Sequence, residues 1–192
     1  MVALPTDHRS QFTVEEYFAL EAASETRHEY FHGEIIAMSG ARRNHVMIAG
    51  NVHGELRAQL ANRPDCGAFA SDLRVRVAGK IYFYPDVVVA CDEQYTDASQ
   101  MTLINPCLVV EVTSESTAMY DRLTKLAAYR QMPSVQEILI VDQYRAGIEQ
   151  HTRVPEGWLV RAFSSLEDVL TLDSIGCTLA VSGIYTKVEL QA

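Results

Sequence analysis

Residues 107–113 read Cys107-Leu108-Val109-Val110-Glu111-Val112-Thr113, a short apolar run rich in β-branched residues, the pattern of a strand buried on both faces. One ionisable group interrupts it. A carboxylate in such a place is costly unless it is paired or bound to a cation. A second run has the same character, Tyr84-Pro85-Asp86-Val87-Val88-Val89-Ala90, with Asp86 at its head. Two carboxylates set into two apolar strands suggest a metal site.

Side chains alternate along a strand, so Glu111 and Thr113 share one face while Val110 and Val112 take the other. If the two strands are neighbours, Asp86 and Glu111 converge on one hard cation. Magnesium accepts one or two carboxylates, keeps several waters and takes further ligands from phosphate. Such an ion, Mg2+ or Mn2+, stabilises charge on a phosphoryl oxygen and acidifies water. The segment that follows adds Asp121 and Lys125. An ammonium there would orient the water or offset charge building on the phosphate.

Working outward, Thr13 reads as the N-cap of a short helix from Val14 to Leu20, with acids in its first turn. His28 to Met38 reads as a hairpin turning near His32-Gly33. Asn44 reads as the cap of a longer helix to about Asn62, with His45, Ala49, Val52, Leu56 and Leu60 on one face. Phe69–Val77 and Ile81–Ala90 read as a hairpin across Ala78-Gly79-Lys80. After the Glu111 strand, Ser114-Glu115-Ser116-Thr117 offers capping chemistry for a helix through Asp121, Lys125 and Tyr129, ended by Pro133. A strand over Val135–Asp142 follows, then strands near 147–152 and 157–163, and from Ser165 a helical turn and a final extended segment. This order predicts one α/β domain over 1–192, a mixed central sheet flanked by helices. Its core spans about 44–143, with the N-terminal helix and hairpin at 13–40 and C-terminal strands at 147–190.

Composition bounds the function. The 192 residues suffice for one domain, and 48% are hydrophobic, ordinary for a soluble globular chain. No apolar run approaches a membrane span, and Met1–Ser10, which carries Asp7, His8 and Arg9, lacks a signal peptide's apolar core. Cys66, Cys91, Cys107 and Cys177 are scattered without a C-x-x-C pair, so reduced thiols in a cytoplasmic protein are expected rather than a zinc site or disulfides. A glycine-rich phosphate loop and the G-x-S-x-G elbow are both missing. The net charge of −9 opposes non-specific nucleic-acid binding.

The pieces just quoted, with Tyr30–Met38 including Gly33-Glu34, His45, Pro85-Asp86 and Glu111-Val112-Thr113, resemble the PD-(D/E)XK nuclease superfamily. More closely, the chain resembles the Uma-two family of bacterial proteins assigned to restriction-endonuclease chemistry. The likeness covers most of residues 13–165; each motif alone is common, while their joint order is specific. It implies a restriction-endonuclease-like fold and metal-dependent hydrolysis of DNA phosphodiesters, with Asp86 and Glu111 as metal ligands. Glu34 enters as a third carboxylate on the same ground. The lysine common two positions after the glutamate is Thr113 here, and the resemblance implies that Lys125 on the following helix takes its place. Many restriction enzymes cut as pairs, so a homodimer is expected, with weak DNA affinity on an acidic surface.

Plainer readings stand beside these. Glu111 has a neighbouring Arg or Lys as an alternative partner, and Asp86 a turn role after Pro85. Lys125 could form only an i, i+4 pair with Asp121. Glu34 could be an exposed turn residue, His45 a core histidine and Tyr129 packing. Arg42-Arg43 and Arg74 with Arg76 could meet phosphates or simply be solvated charges. At the level of function, an inactive nuclease-fold binding module and a metal-dependent hydrolase of a small phosphorylated molecule remain alternatives.

Overall fold

The Asp86 strand and the Glu111 strand are neighbours, and the rest of the architecture is arranged around their pairing. The computed structural model describes residues 11–96, 98–114 and 118–191. In chain order the elements are α1 (Val14–Ala23), β1 (His28–Phe31), β2 (Glu34–Ala37), α2 (Arg43–Gln59), β3 (Cys66–Ala70), β4 (Arg74–Ala78) and β5 (Ile81–Phe83). Next come β6 (Val87–Cys91), β7 (Thr102–Leu103), β8 (Leu108–Thr113), α3 (Ala118–Tyr120), a π-helical turn (Asp121–Lys125) and α4 (Leu126–Arg130). The chain ends with β9 (Glu137–Asp142), β10 (Ile148–Val154), β11 (Gly157–Phe163), β12 (Val169–Leu172), β13 (Cys177–Ala180) and α5 (Val181–Ile184).

Local chemistry explains several boundaries. Thr13 Oγ1 accepts the Glu16 N–H at 3.2 Å while Glu16 Oε2 accepts the Thr13 N–H at 2.8 Å, a capping box that starts α1. The β1–β2 hairpin turns on His32 and Gly33, whose φ angles are both positive, 50° and 102°. α2 starts at Arg43 with Arg42 as N-cap, not at an Asn44 cap. Asn44 is drawn away because its amide reaches the carbonyls of Gln143 (3.3 Å) and Glu189 (2.8 Å), tying the helix to the C-terminal segment. Of the expected capping run after β8, residues 115–117 lie outside the described residues, as do residues 1–10.

Two sheets form the body, a six-stranded one in the order β11-β10-β9-β8-β6-β3 and a five-stranded one in the order β2-β1-β5-β4-β7. The sheets are mixed: β8 runs parallel to β9, which demands a crossover, and the helical segment from α3 to α4 supplies it. The long hairpin expected over 69–90 is instead divided between the sheets. β4 and β5 pair across Gly79-Lys80 in one, while β3 and β6 pair in the other. Pro85, which has no N–H to give a ladder, lies where the chain leaves one sheet for the other. The C-terminal region also differs from expectation: β12 and β13 form a hairpin of their own before α5, in place of a helical turn and an extended tail.

Strand alternation divides the core. Val87, Val89, Leu108 and Val110 pack on Ile48, Val52 and Leu56 of α2 and on the β12–β13 hairpin. Val88, Val109, Ile138 and Ile140 face the other way, against Val75, Phe83 and Tyr129. A third cluster stacks Tyr17 of α1 on Tyr30 and Tyr82. Among the described residues no helix is long and apolar enough to cross a membrane.

The expectation of four free thiols is corrected. Cys66 of β3 and Cys91 of β6 are bonded as a disulfide, with Cα atoms 4.0 Å apart. Antiparallel pairing sets these two residues directly opposite each other, a juxtaposition that their separation of 25 residues hides in the sequence. Cys107 and Cys177 remain free, and burial pushes the Cys107 thiol up to about 11. Its folded value lies above the unfolded one, so the neutral thiol is favoured in the folded chain. That contribution to stability is complete below the ordinary cysteine value and is lost as pH rises through the raised one. Thiol titration at pH 8 should therefore find two slow groups in the native protein that react promptly once it is unfolded. On the chain-entropy argument a loop of this size contributes roughly 3 kcal/mol. Reduction should lower the urea midpoint of the wild type and leave a Cys66→Ser/Cys91→Ser variant unmoved; equal midpoints with and without reductant would contradict the bridge.

Candidate active site

The β6–β8 ladder pairs Val87 with Val110, and one further step of that register sets Asp86 opposite Glu111 on the face that carries Val88 and Val109. Asp86 is held at both oxygens. Oδ2 accepts the Val112 N–H at 2.7 Å and Oδ1 lies 2.8 Å from His45 Nε2. Glu111 Oε1 accepts the Tyr129 hydroxyl at 2.7 Å, and Lys125 Nζ stands 3.4 Å from each of its oxygens.

Lys125 is the centre of a cage. Its ammonium is 2.7 Å from Glu29 Oε1 of β1 and 3.6 Å from Asp121 Oδ1, besides the contacts to Glu111. Its charge also lies 5.7 Å from the centre of the Phe83 ring and 5.9 Å from that of Tyr120. Both acid and ammonium come from the π-helical turn, where a spacing of four residues sets them on one face. Asp121 and Lys125 are both buried while Leu123 and Met119 face solvent.

The electrostatics follow from burial and crowding. Burial pushes the Glu111 carboxyl well above the usual carboxylate range, Lys125 opposes this, and Asp121, Asp86 and Glu29 add to it. Glu29 is raised for the same first reason and is likewise relieved by Lys125. Burial works against the Lys125 ammonium, yet Glu111, Glu29 and Asp121 together hold it well above the ordinary lysine value. The Tyr129 phenol is raised by burial and then by Glu111, so it remains a proton donor to that carboxylate.

These groups open on one cavity of about 570 Å³, whose lining includes Glu29, Tyr84, Asp86, Glu111, Asp121 and Lys125. Arg42, His45 and Gln143 line it as well. Asp86, Glu111 and Lys125 are thus brought together. Glu34 is not: it is exposed at the start of β2, opposite Phe31, and does not line the cavity. Glu29 occupies the place of a third carboxylate. Glu29 lies between His28 and Tyr30, so the apolar, β-branched frame that marks Glu111 is missing, and only the structure shows that its strand is buried.

Other candidates separate. His45 is a cavity residue bound to Asp86, and Tyr129 is a hydrogen-bond donor as well as a packing group. Arg74 is buried, 2.9 Å from Thr102 Oγ1 and 3.9 Å from Glu21 Oε2, so its charge is met inside the fold, and Arg74 does not itself line the cavity. Arg43 is spent on the Lys187 carbonyl and Glu189. Arg42 keeps a guanidinium with no hydrogen-bond or ion-pair partner among the described residues.

The donor set suits a hard divalent ion. Three carboxylates, Glu29, Glu111 and Asp121, share the Lys125 ammonium, and Asp86 lines the same cavity with an oxygen on His45, so oxygen donors outnumber the lysine charge. Asp86 and Glu111 would hold Mg2+ or Mn2+, and a set of two carboxylates is the number that magnesium commonly uses. Among the described residues three side-chain ligand atoms come within 4.8 Å of one another only at Asp65, Cys66 and Cys91, where the disulfide already uses both sulfurs.

Comparison with known proteins places this geometry. The family model described as "Uma2: Putative restriction endonuclease" matches residues 14–182. Two Synechocystis sp. relatives, both named only as uncharacterized proteins, align over most of the chain. The protein sll1609 is 37% identical over 151 residues, covering 77% of this chain and 85% of its own. The protein slr1290 is 36% identical over 173 residues, covering 89% and 90% respectively. A crystal structure from Anabaena variabilis, described as "a putative nuclease belonging to DUF820", superposes with a TM-score of 0.70 over 85% of this chain and 92% of that one. At 15% identity that likeness is one of fold, and the mixed α/β domain expected from the sequence is the one they share. With a family model matching residues 14–182, and relatives that cover 77% and 89% of it at over a third identity, the chain belongs to the Uma2 family.

Proposed function

We propose that the chain is a Mg2+- or Mn2+-dependent endonuclease that hydrolyses phosphodiester bonds in DNA. One observation carries this reading: Asp86 and Glu111, opposed on adjoining strands, face the same cavity as the caged ammonium of Lys125. When bound, the ion would supply Lewis acidity toward a phosphoryl oxygen and toward water. The chain's own groups would do the rest. The Val112 N–H and His45 orient Asp86, and Tyr129 fixes the rotamer of Glu111. Lys125 presents a permanent positive charge for the negative charge that develops on phosphate in the transition state. That its ammonium reaches Glu111 from the helix supports the substitution of Lys125 for a strand lysine, with Thr113 merely donating to the Val141 carbonyl. A homodimer that joins two cavities in one groove would offset the poor DNA affinity expected at a net charge of −9. That same charge, with a cavity of about 570 Å³, favours as second reading a hydrolase of a small phosphorylated molecule.

Three measurements test the proposal. Purified protein should nick supercoiled plasmid with Mn2+ or Mg2+, and Glu111→Ala should not; equal activity in the two, or none in either across both metals, would sink the nuclease reading. Cleavage of a model phosphate ester with plasmid left intact would favour the second reading.

Mn2+ at a hundred times its Kd should stabilise the wild type by about 2.7 kcal/mol. Asp86→Asn should lose that gain in thermal unfolding, and a gain of equal size in the variant would place the ion elsewhere.

Lys125→Met keeps the volume and removes the charge, leaving three buried carboxylates without their counter-ion. Removing one partner of a buried pair costs ~3–5 kcal/mol. Urea denaturation of the metal-free protein should show a loss of this order, and a variant as stable as the wild type would refute the cage.

A further inference from the structure

The start of α2 also lines the cavity, through Arg42, His45 and Val46. This helix has 17 residues, no acid in its first turn and no side chain capping its N-terminus. Its first internal hydrogen bond runs from the Val46 N–H to the Arg42 carbonyl, so the N–H groups of Arg43, Asn44 and His45 precede the ladder. Arg42 at the N-cap also lines the cavity, with its guanidinium unpartnered among the described residues.

A second, independent observation lies beside it. Gln143, just after β9, lines the same cavity and is only 1% exposed, yet among the described residues neither its Nε2 nor its Oε1 has a hydrogen-bond partner. An amide buried in this way forfeits its water without a replacement, which structures rarely tolerate unless something else is meant to fill the place. It adjoins the helix start, because Asn44 Nδ2 donates to the Gln143 carbonyl at 3.3 Å. Three kinds of donor therefore gather at one end of the cavity: free helix N–H groups, a guanidinium and an amide.

We infer that the N-terminus of α2, Arg42 and Gln143 form a phosphate-binding subsite, made of residues other than the carboxylates and joined to them through the His45–Asp86 contact. Helix N-termini bind phosphate through free N–H groups and the positive end of the helix dipole. Arg42 adds a charge-assisted fork, and the Gln143 amide donates to a phosphate oxygen while its carbonyl takes a water carried in with the ligand. Within the proposed nuclease reading, on which the choice of a DNA phosphate rests, the subsite holds a backbone phosphate next to the one that is cleaved. It makes the interior of an acidic protein locally attractive to an anion.

The test reads binding, so it does not depend on cleavage. A fluorescein-labelled duplex is titrated with full-length protein in Ca2+ across a range of salt, and inorganic phosphate is titrated separately by 31P line broadening without metal. Arg42→Ala should weaken duplex binding about tenfold and reduce the slope of log affinity against log salt by about one. Gln143→Glu, nearly isosteric but negative, should weaken it at least as much. If the inorganic phosphate line broadens with wild type and not with Arg42→Ala, the subsite accepts an isolated phosphate. If only the duplex responds, the phosphate must arrive within a strand. Both results support the subsite. Unchanged duplex affinity, salt slope and phosphate broadening in both variants would overturn it. A protein that never cleaves DNA yet shows these losses would refute the nuclease reading and leave the subsite standing.

Discussion

The structure turns on one ammonium. Lys125 is buried, and an unpaired lysine there would shed its proton or unfold the segment that carries it. It stays charged because three carboxylates reach it from three separate elements: Glu29 from a strand of one sheet, Glu111 from a strand of the other, and Asp121 from its own helical turn. The cage therefore joins the two sheets electrostatically at the point where the apolar core between them gives way to a cavity. Elsewhere the sheets are held by shape alone, through residues such as Val88, Val109 and Phe83. No element of the cage can withdraw without leaving an uncompensated charge behind, so the geometry of Glu111 is set by the whole domain and not by its strand.

Much of this was legible in the chain because it is local. Glu111 and Asp86 stand out against apolar neighbours, and period-two alternation already puts Glu111 on a defined face of its strand. The Thr13 capping box and the β1–β2 turn are likewise short-range chemistry. Lys125 is visible as an ammonium on the helix after the Glu111 strand, but an i, i+4 partner to Asp121 looks the same in sequence whether exposed or buried. Glu34 entered on the family resemblance alone, and Glu29 lacks the apolar neighbours that would mark it. What stayed hidden was long-range. The Cys66–Cys91 bond, the division of one apparent hairpin between two sheets and the orphaned amide of Gln143 all depend on which strands meet, and no single window of sequence records that.

The net charge of −9 also takes on a different meaning once its distribution is known. Much of the acidity inside the cavity is committed to Lys125, and the same cavity is lined by Arg42 and the start of α2. A charge total describes what a distant polyanion encounters. It does not describe the field inside a cavity, where low-dielectric walls and oriented backbone groups outweigh the sum.

The π turn has a consequence for how such a site can change. Asp86 and Glu111 are locked by a β ladder in which a one-residue slip would turn every neighbouring side chain to the wrong face. Lys125 is held by helical phase instead, in a segment that pairs with no strand. The site is therefore geared in two ways: Asp86 and Glu111 move only with the sheet, while a one-residue change of helical phase would carry Lys125 and Asp121 away from them together.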